Sequence, residues 1–543
     1  MKNSKNNTIK IVGFQSGHDV SYAILENGVP VIHEELERFT REKEPFGDGL
    51  NMFFQRNVEV DDIKYFTFGN PGSRETQPYR TRCYNEEDQL KMESVIEKND
   101  GKYYRVGHHK SHASNAFFSS NFEESLIITI DGGGREEDMK DTAFTVWIGK
   151  GNKLKAVKTI STEELNIGSP WRAYTGKIFG LSDGYPYGNQ AGTVMGMACV
   201  GDPKYVDDFL LAFRKGGGKR SSHVLKNIEK YKPIADRGEQ DKFDIAASLQ
   251  LATEIITKEY MTPFINEYKM KNICLSGGVV LNSVMVGKMY DWFDGIVENI
   301  FIDPIPYDGG LAIGSARYLW HHILDNPRIE WKDNSSSYLG CHYDKDDIDN
   351  AIRQYNDEIK VSQATDDDVI SLLTKDDNVI SVFGGGSESG RRALGNRSIL
   401  ADPRSPKMKD IINEKVKHRQ WFRPFAPSII RDEVKNWFTE DIDSPYMSFV
   451  LNFKEEVKSK VPAVVHLDGT GRLQTVTEND NSWYYNFIKK FGIKTGVPIL
   501  LNTSFNDREP IVETPENAIN CFIGTDIDYL YFHDVNLLVE KKQ

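Results

Sequence analysis

Ser125-Leu126-Ile127-Ile128-Thr129-Ile130 runs directly into Asp131-Gly132-Gly133-Gly134, and Thr142 to Gly149 then returns as a second β-prone segment. An apolar, β-branched run closed by an acidic glycine turn reads as a strand whose end carries a carboxylate. The same pattern lies upstream. Ile9 to Phe14 and Val20 to Leu25 read as strands, Glu26-Asn27-Gly28 as a hairpin turn, and Val29 to His33 as the return. Downstream, Asn272 to Leu275 enters Ser276-Gly277-Gly278. Helical periodicity covers Ala246 to Tyr268, with a break or kink expected at Pro263, and Asp308 to Ile323. Strands alternating with helices predict an α/β protein.

The chain has 543 residues, enough for two or more domains. Asp325 to Ser337 is polar, contains Pro327 and ends in Asn334-Ser335-Ser336-Ser337. It is the predicted boundary, giving domains 1–335 and 336–543. Neither an internal repeat nor a low-complexity tract is evident. At 39% hydrophobic and 27% charged, the composition is that of a soluble globular protein. No apolar run reaches bilayer length, so no membrane partner is expected. Met1 to Lys10 lacks the apolar core of a signal peptide, which makes the cytoplasm the expected location. The 5 cysteines are scattered, which argues against a disulfide framework or a cysteine zinc site. A net charge of −13 argues against broad nonspecific binding to nucleic acid, though a local basic groove stays open.

Two residue sets carry chemistry. His108 and His112 stand four apart, which on a helix puts both imidazoles on one face. Alone, such a pair reads as two helix-surface histidines. With Asp131 at its glycine turn and Asp308 in Tyr307-Asp308-Gly309-Gly310, it becomes a donor set for a divalent transition metal. The second set is Glu388-Ser389-Gly390-Arg391-Arg392-Ala393-Leu394-Gly395-Asn396-Arg397-Ser398, then Lys417, Arg423-Pro424-Phe425-Ala426-Pro427 and Leu501-Asn502-Thr503-Ser504. Arginines among glycines form a preorganised anion cradle; singly, each is an ordinary surface cation.

In this order, these motifs resemble the O-carbamoyltransferase family of nodulation-factor and antibiotic carbamoyltransferases. The likeness extends through Gly17-His18-Asp19, Glu37-Arg38-Phe39-Thr40-Arg41, Met195-Gly196-Met197-Ala198 and Ser276 to Asn282. It implies an N-terminal actin-like ATPase domain of two RNase-H-like lobes, similar to tRNA threonylcarbamoyl-transfer enzymes, and a YrdC-like C-terminal α/β domain. It implies that His108, His112, Asp131 and Asp308 bind iron(II) or another divalent metal. Asp131, Gly132, Gly277, Gly278, Asn282 and Gly310 would line the nucleotide site, with magnesium accompanying ATP. Arg392, Lys417, Arg423, Arg472, Asn502 and Ser504 would hold carbamoyl phosphate. His18 is the expected general base, oriented by Asp19. Arg38 and Arg41 are expected in structural or acceptor-side roles. Two departures stand out: the family usually has arginine at Gly386 and proline at Arg391, and glutamate and lysine at Ala191 and Thr193.

The implied activity is ATP-dependent O-carbamoyl transfer through a carbamoyl-adenylate that passes along an internal channel. The acceptor is a sugar or natural-product alcohol. The alternative is the hydroxymethyl group of 5-hydroxymethylcytosine in DNA, for which the Lys215 to Arg220 loop and the arginines and tyrosines of Arg74 to Tyr84 offer a basic-aromatic surface; both also read as solvated loops. A second alternative is a threonylcarbamoyl-transfer-like or actin-like ATP-binding protein without carbamoyl phosphate chemistry. A homodimer is compatible with all three.

Overall fold

The computed structural model describes residues 8–56, 58–60, 62–70, 85–138, 140–181, 189–330 and 335–542, with the backbone alone at Lys219. The segment Arg74 to Tyr84 lies outside the described residues. The fold is α/β, as expected.

In the first sheet, β1 (Lys10–Gln15), β2 (Ser21–Glu26) and β3 (Val29–Glu35) form an antiparallel meander. β4 (Ile63–Phe68) and β5 (Lys102–Arg105) join in parallel beyond β1, giving the order β3-β2-β1-β4-β5. Asn27 and Gly28 take positive φ, 49° and 86°, as a tight hairpin demands. Successive β1 residues serve opposite cores. Val12 and Phe14 pack with Phe53 and Phe66, whereas Ile11 packs with Ala312 and Ala316 of the helix Leu311–Arg317.

The second sheet repeats this topology. β6 (Glu124–Arg135), β7 (Asp141–Lys150) and β8 (Lys153–Ser161) are antiparallel, and β9 (Asn272–Ser276) and β10 (Asn299–Ile302) lie parallel on the far side of β6. Read from β8, the order matches the first sheet read from β3, so the two expected lobes are present as a repeat of topology without a repeat of sequence.

Two expectations are corrected here. β6 does not stop at Asp131; it continues to Arg135, and its register against β7 slips between Ile130 and Gly134. Gly133, at φ 128°, lets the backbone bulge, which takes Asp131 out of the ladder while the strand goes on. The long helix is also unbroken at Pro263, running Glu239–Tyr268. A proline removes one helical hydrogen bond, and the buried Met261 and Ile265 hold the helix on either side.

The third sheet has nine strands: β11 (Ile359–Gln363), β12 (Ile380–Phe383), β13 (Arg397–Ala401), β14 (Ala426–Ile430), β15 (Phe449–Asn452), β16 (Thr470–Val476), β17 (Ile499–Ser504), β18 (Tyr529–Phe532) and β19 (Leu537–Lys541). Their order is β11-β19-β18-β12-β13-β17-β14-β16-β15. One face is covered by the helix Ser482–Thr495 through Tyr484, Phe487, Ile488 and Phe491.

Packing divides the chain into two compact units. One comprises 1–191, 202–281 and 289–339; the other comprises 340–543 with two excursions, 192–201 and 282–288. No helix among the described residues is long and apolar enough to cross a membrane.

Candidate active sites

The first unit gathers His108, His112, Asp131 and Asp308 so that one ligand atom of each lies within 4.8 Å of the others. The histidines occupy the first turns of the helix His108–Ser119 and are buried. His112 Nε2 is 3.4 Å from Asp131 and 3.5 Å from Asp308, and His108 Nε2 is 3.7 Å from Asp308. His108 Nδ1, His108 Nε2 and His112 Nε2 are buried without a hydrogen-bond partner. The Ser276 hydroxyl donates to Pro306 O, so it accepts from His112 Nδ1–H at 3.2 Å. That arrangement turns Nε2 of His112 toward the carboxylates, where it can ligate a metal once its proton is lost. Orphaned imidazole nitrogens beside two carboxylates fit a divalent transition metal.

The Asp131 carboxylate is itself fixed, by the Gly278 N–H at 2.6 Å and by its neighbour Gly132 N–H. Gly132 O in turn accepts from Asn166 Nδ2 at 3.0 Å and Ser169 Oγ at 2.7 Å. The Asp308 turn is held from behind: Gly309 O accepts from Ser21 Oγ and His33 Nε2, both at 2.8 Å, and Tyr307 O–H donates to Glu35 at 2.6 Å. Gly277, at φ 100°, lies where a Cβ would sit 2.1 Å from Ile130 O, and at Gly310 one would sit 2.2 Å from Ile305 O. Both glycines therefore let chain segments of the first unit approach each other closely. Asn282 belongs to the second unit, where its Oδ1 accepts from Met285 N–H and caps the helix Ser283–Gly287.

His18 lies beside this set. Its Nδ1 is 2.9 Å from Asp19 and its Nε2 is 3.5 Å from Asp308, and the side chain is 47% exposed. Partial desolvation of the half-exposed ring works to lower its pKa, but the Asp19 hydrogen bond and the Asp308 charge outweigh that and raise it to about 9. His112 is likewise raised to about 9, where burial is overcome by Asp131 and Asp308. For Asp131, burial opposes ionisation, yet the close approach of His112 and both histidine charges hold it well below the usual carboxylate range.

The sequence reading missed Asn115, which stands three residues beyond His112 on the same helix face. It accepts from Arg317 Nη1 at 2.6 Å and donates to Asp303 at 3.1 Å and to Ile305 O at 3.2 Å. Arg317 and Asp303 have fully buried side chains, and Ser336 Oγ also donates to Asp303, at 2.7 Å. The network ties the histidine helix to the segment that carries Asp308. Asn115→Ala is expected to destabilise the protein by about 3–5 kcal/mol, because it breaks a buried charged network; urea denaturation measures this. A second expectation concerns the metal. Cobalt(II) titration of metal-free protein should show a site weakened about 100-fold or more by His112→Ala. Metal at about 100 times its Kd should add about 2.7 kcal/mol of stability to the parent protein.

In the second unit, Arg392, Arg423 and Arg472 lie within electrostatic reach of one another. For Arg423, burial and the Arg392 charge push the pKa down to about 10. For Arg472, burial and the charges of Arg392 and Arg423 push it well below the ordinary value. Arg419, which the sequence reading omitted, is depressed by burial and by Arg423 and Arg472. Its Nε donates to Asn413 at 2.8 Å and its guanidinium stacks on Phe425 at 4.7 Å, so its orientation is set. Guanidinium remains charged in proteins, so these arginines raise one another's electrostatic cost. Arg472 Nε donates to Ser283 Oγ at 3.1 Å.

Lys417 lies against the Ser504–Asn506 turn. It is buried, and its ammonium donates to Ser504 O at 2.5 Å and to Asn506 O and Oδ1 at 2.7 and 2.6 Å. It clamps the Ser504–Asn506 turn, with the Ser504 hydroxyl donating to Asn506 Oδ1 at 2.8 Å. Asn502 is also buried, and its amide donates to Ala393 O at 3.2 Å and Gln474 Oε1 at 2.8 Å. Arg397, prominent in the motif, is structural: it is fully buried, lies 3.6 Å over Phe383 and donates to Gly384 O at 2.6 Å.

Residues 76–317 match the family described as Carbamoyltransferase N-terminus, and residues 371–541 match Carbamoyltransferase C-terminus. An uncharacterised protein of Synechocystis, sll1178, is 31% identical over 94% of this chain and 94% of its own length. Nodulation protein NolO of Bradyrhizobium diazoefficiens is 34% identical over 78% of this chain and 77% of its own. Nodulation protein NolNO of Sinorhizobium fredii is 36% identical over 81% of this chain, which spans 65% of that protein.

Proposed function

The chain belongs to the carbamoyltransferase family, and on that premise we propose that it uses ATP and carbamoyl phosphate to carbamoylate an acceptor hydroxyl through a carbamoyl-adenylate. The observation that carries this reading is the arginine cluster of the second unit, since a hydroxyl-transfer site with its metal has no need of a second anion cradle.

In this reading Arg392, Arg423 and Arg472 bind the phosphate of carbamoyl phosphate and stabilise it as it departs. Water cleaves the bond between the carbonyl carbon and the phosphate oxygen, giving carbamate and phosphate. A carbamate oxygen then attacks the α-phosphorus of ATP, and pyrophosphate leaves. At His18 the acceptor hydroxyl gives up its proton to the imidazole and attacks the carbamoyl carbon, and AMP departs. His108, His112, Asp131 and Asp308 would hold a divalent metal, iron(II) in this reading, which would supply Lewis acidity and would offset the Asp308 charge that, after the Asp19 hydrogen bond, raises the His18 pKa. Asp19 holds Nδ1 of His18 and so directs Nε2.

The proposed acceptor is a sugar or small alcohol. Hydroxymethylated DNA is the second reading, favoured by the exposed Lys215 and Arg220, which flank Gly216, Gly217 and Gly218, all at positive φ. Titrating salt against acceptor binding separates the two. A steep loss of affinity identifies a polyanionic acceptor, and a flat response identifies a small alcohol.

A further inference from the structure

The cradle depends on where the backbone of Arg391 to Asn396 lies. That stretch is bounded by Gly390 and Gly395, at φ 85° and 125°, conformations open to glycine at little cost. A loop between two such residues needs outside restraint to hold a side chain in place. The restraint comes from buried polar side chains beneath it. Gln474 Nε2 donates to Leu394 O at 3.0 Å. One oxygen of the buried Glu388 accepts the backbone N–H groups of Leu394 and Asn396 at 2.8 Å and of Arg397 at 3.1 Å.

Gln474 is itself held. Its Oε1 accepts from Ser428 Oγ at 2.5 Å and from Asn502 Nδ2 at 2.8 Å, which fixes the amide so that Nε2 faces the loop. It is two residues beyond Arg472 on β16, so both side chains rise from the same face of the sheet. Across β14 its register partner is Ser428. One short strand thus presents a cradle arginine and, beside it, the amide that anchors the loop bearing another.

We propose that Gln474, with Glu388, is a positioning residue of the anion cradle: it pins the Leu394 carbonyl so that Arg392 is held against Arg423 and Arg472 for a phosphate oxyanion. This rests on the carbamoyl phosphate reading above. Gln474 acts through the loop and touches no substrate.

The test compares wild-type protein, Gln474→Leu and Ser428→Ala in two assays: carbamoyl-phosphate-dependent pyrophosphate release, and calorimetric binding of inorganic phosphate. In Gln474→Leu, the KM for carbamoyl phosphate and the phosphate Kd should rise about 10–100-fold, as misplacement of a binding group does, while the KM for ATP stays unchanged. Ser428→Ala, which removes one of the two donors that fix the amide, should shift both in the same direction by less. Wild-type KM and phosphate Kd in Gln474→Leu, with only kcat or thermal stability reduced, would assign it a merely structural role and overturn the proposal. If Gln474→Leu does not fold, Ser428→Ala decides: an unchanged phosphate Kd overturns the proposal and a raised one supports it. Absence of pyrophosphate release in the wild type defeats the carbamoyl phosphate reading instead, and the phosphate Kd of the variants still judges the positioning role.

Discussion

Arg423→Ala is expected to lower carbamoyl-phosphate-dependent pyrophosphate release by about 100–1,000-fold, the loss that follows removal of a donor aimed at developing charge. The protein should nevertheless stay folded. Arg423 is a half-buried cation repelled by Arg392, and its own charge depresses Arg419 and Arg472. Removing it relieves repulsion in the absence of anion, so the melting temperature should be unchanged or rise by a few degrees, about 2–4 °C for each kcal/mol relieved in a unit of this size. Loss of activity without loss of stability is the signature of a residue kept for its ligand. A calorimetric scan beside the pyrophosphate assay reads both quantities. Full activity in Arg423→Ala would remove this residue from the cradle.

His18→Asn should separate the two halves of the reaction. Asparagine keeps a polar group near Asp19 and Asp308 but cannot take a proton, so transfer to the acceptor should fall by about 100–10,000-fold. Carbamoyl-phosphate-dependent release of pyrophosphate, assigned to the other residue set, should continue near the parent rate. Mass spectrometry of the acceptor measures the first and a coupled phosphate assay the second. Equal loss of both activities would mean that His18 acts before the carbamoyl-adenylate forms, and wild-type transfer would mean that it is not the base.

How far the sequence could be read depended on where each interaction partner lies. The hairpin at Asn27-Gly28 and the strands around it were legible because alternation and turn chemistry act over a few residues. His108 and His112 were legible as a pair from helical spacing, and they do share a face. β6 was cut short in the sequence reading, since the glycines after Asp131 read as an end; pairing with β7 carries the strand past them. The repeat of topology was implied by the family resemblance and not by the residues themselves, because matching strand orders need no matching residues. The excursions 192–201 and 282–288 carry no local signal, and their packing with residues 340–543 is a tertiary fact. Lys417 shows the limit most clearly. A lysine beside an arginine motif reads as an anion ligand; that its acceptors include Ser504 and Asn506, 87 and 89 residues away, is visible only in the fold. Arg419, though only four residues before Arg423, went unnoticed for the converse reason: only the fold brings it within reach of Arg472.

The most direct test of the account supplies purified protein with ATP, isotopically labelled carbamoyl phosphate, iron(II), and acceptors that include small sugars and alcohols and DNA with and without 5-hydroxymethylcytosine. Pyrophosphate release and acceptor mass are followed together. Pyrophosphate is expected only when carbamoyl phosphate is present, and one acceptor class is expected to gain the labelled carbamoyl group. ATP turnover indifferent to carbamoyl phosphate, with no acceptor gaining mass, would contradict it and leave the arginine cluster to some other anion.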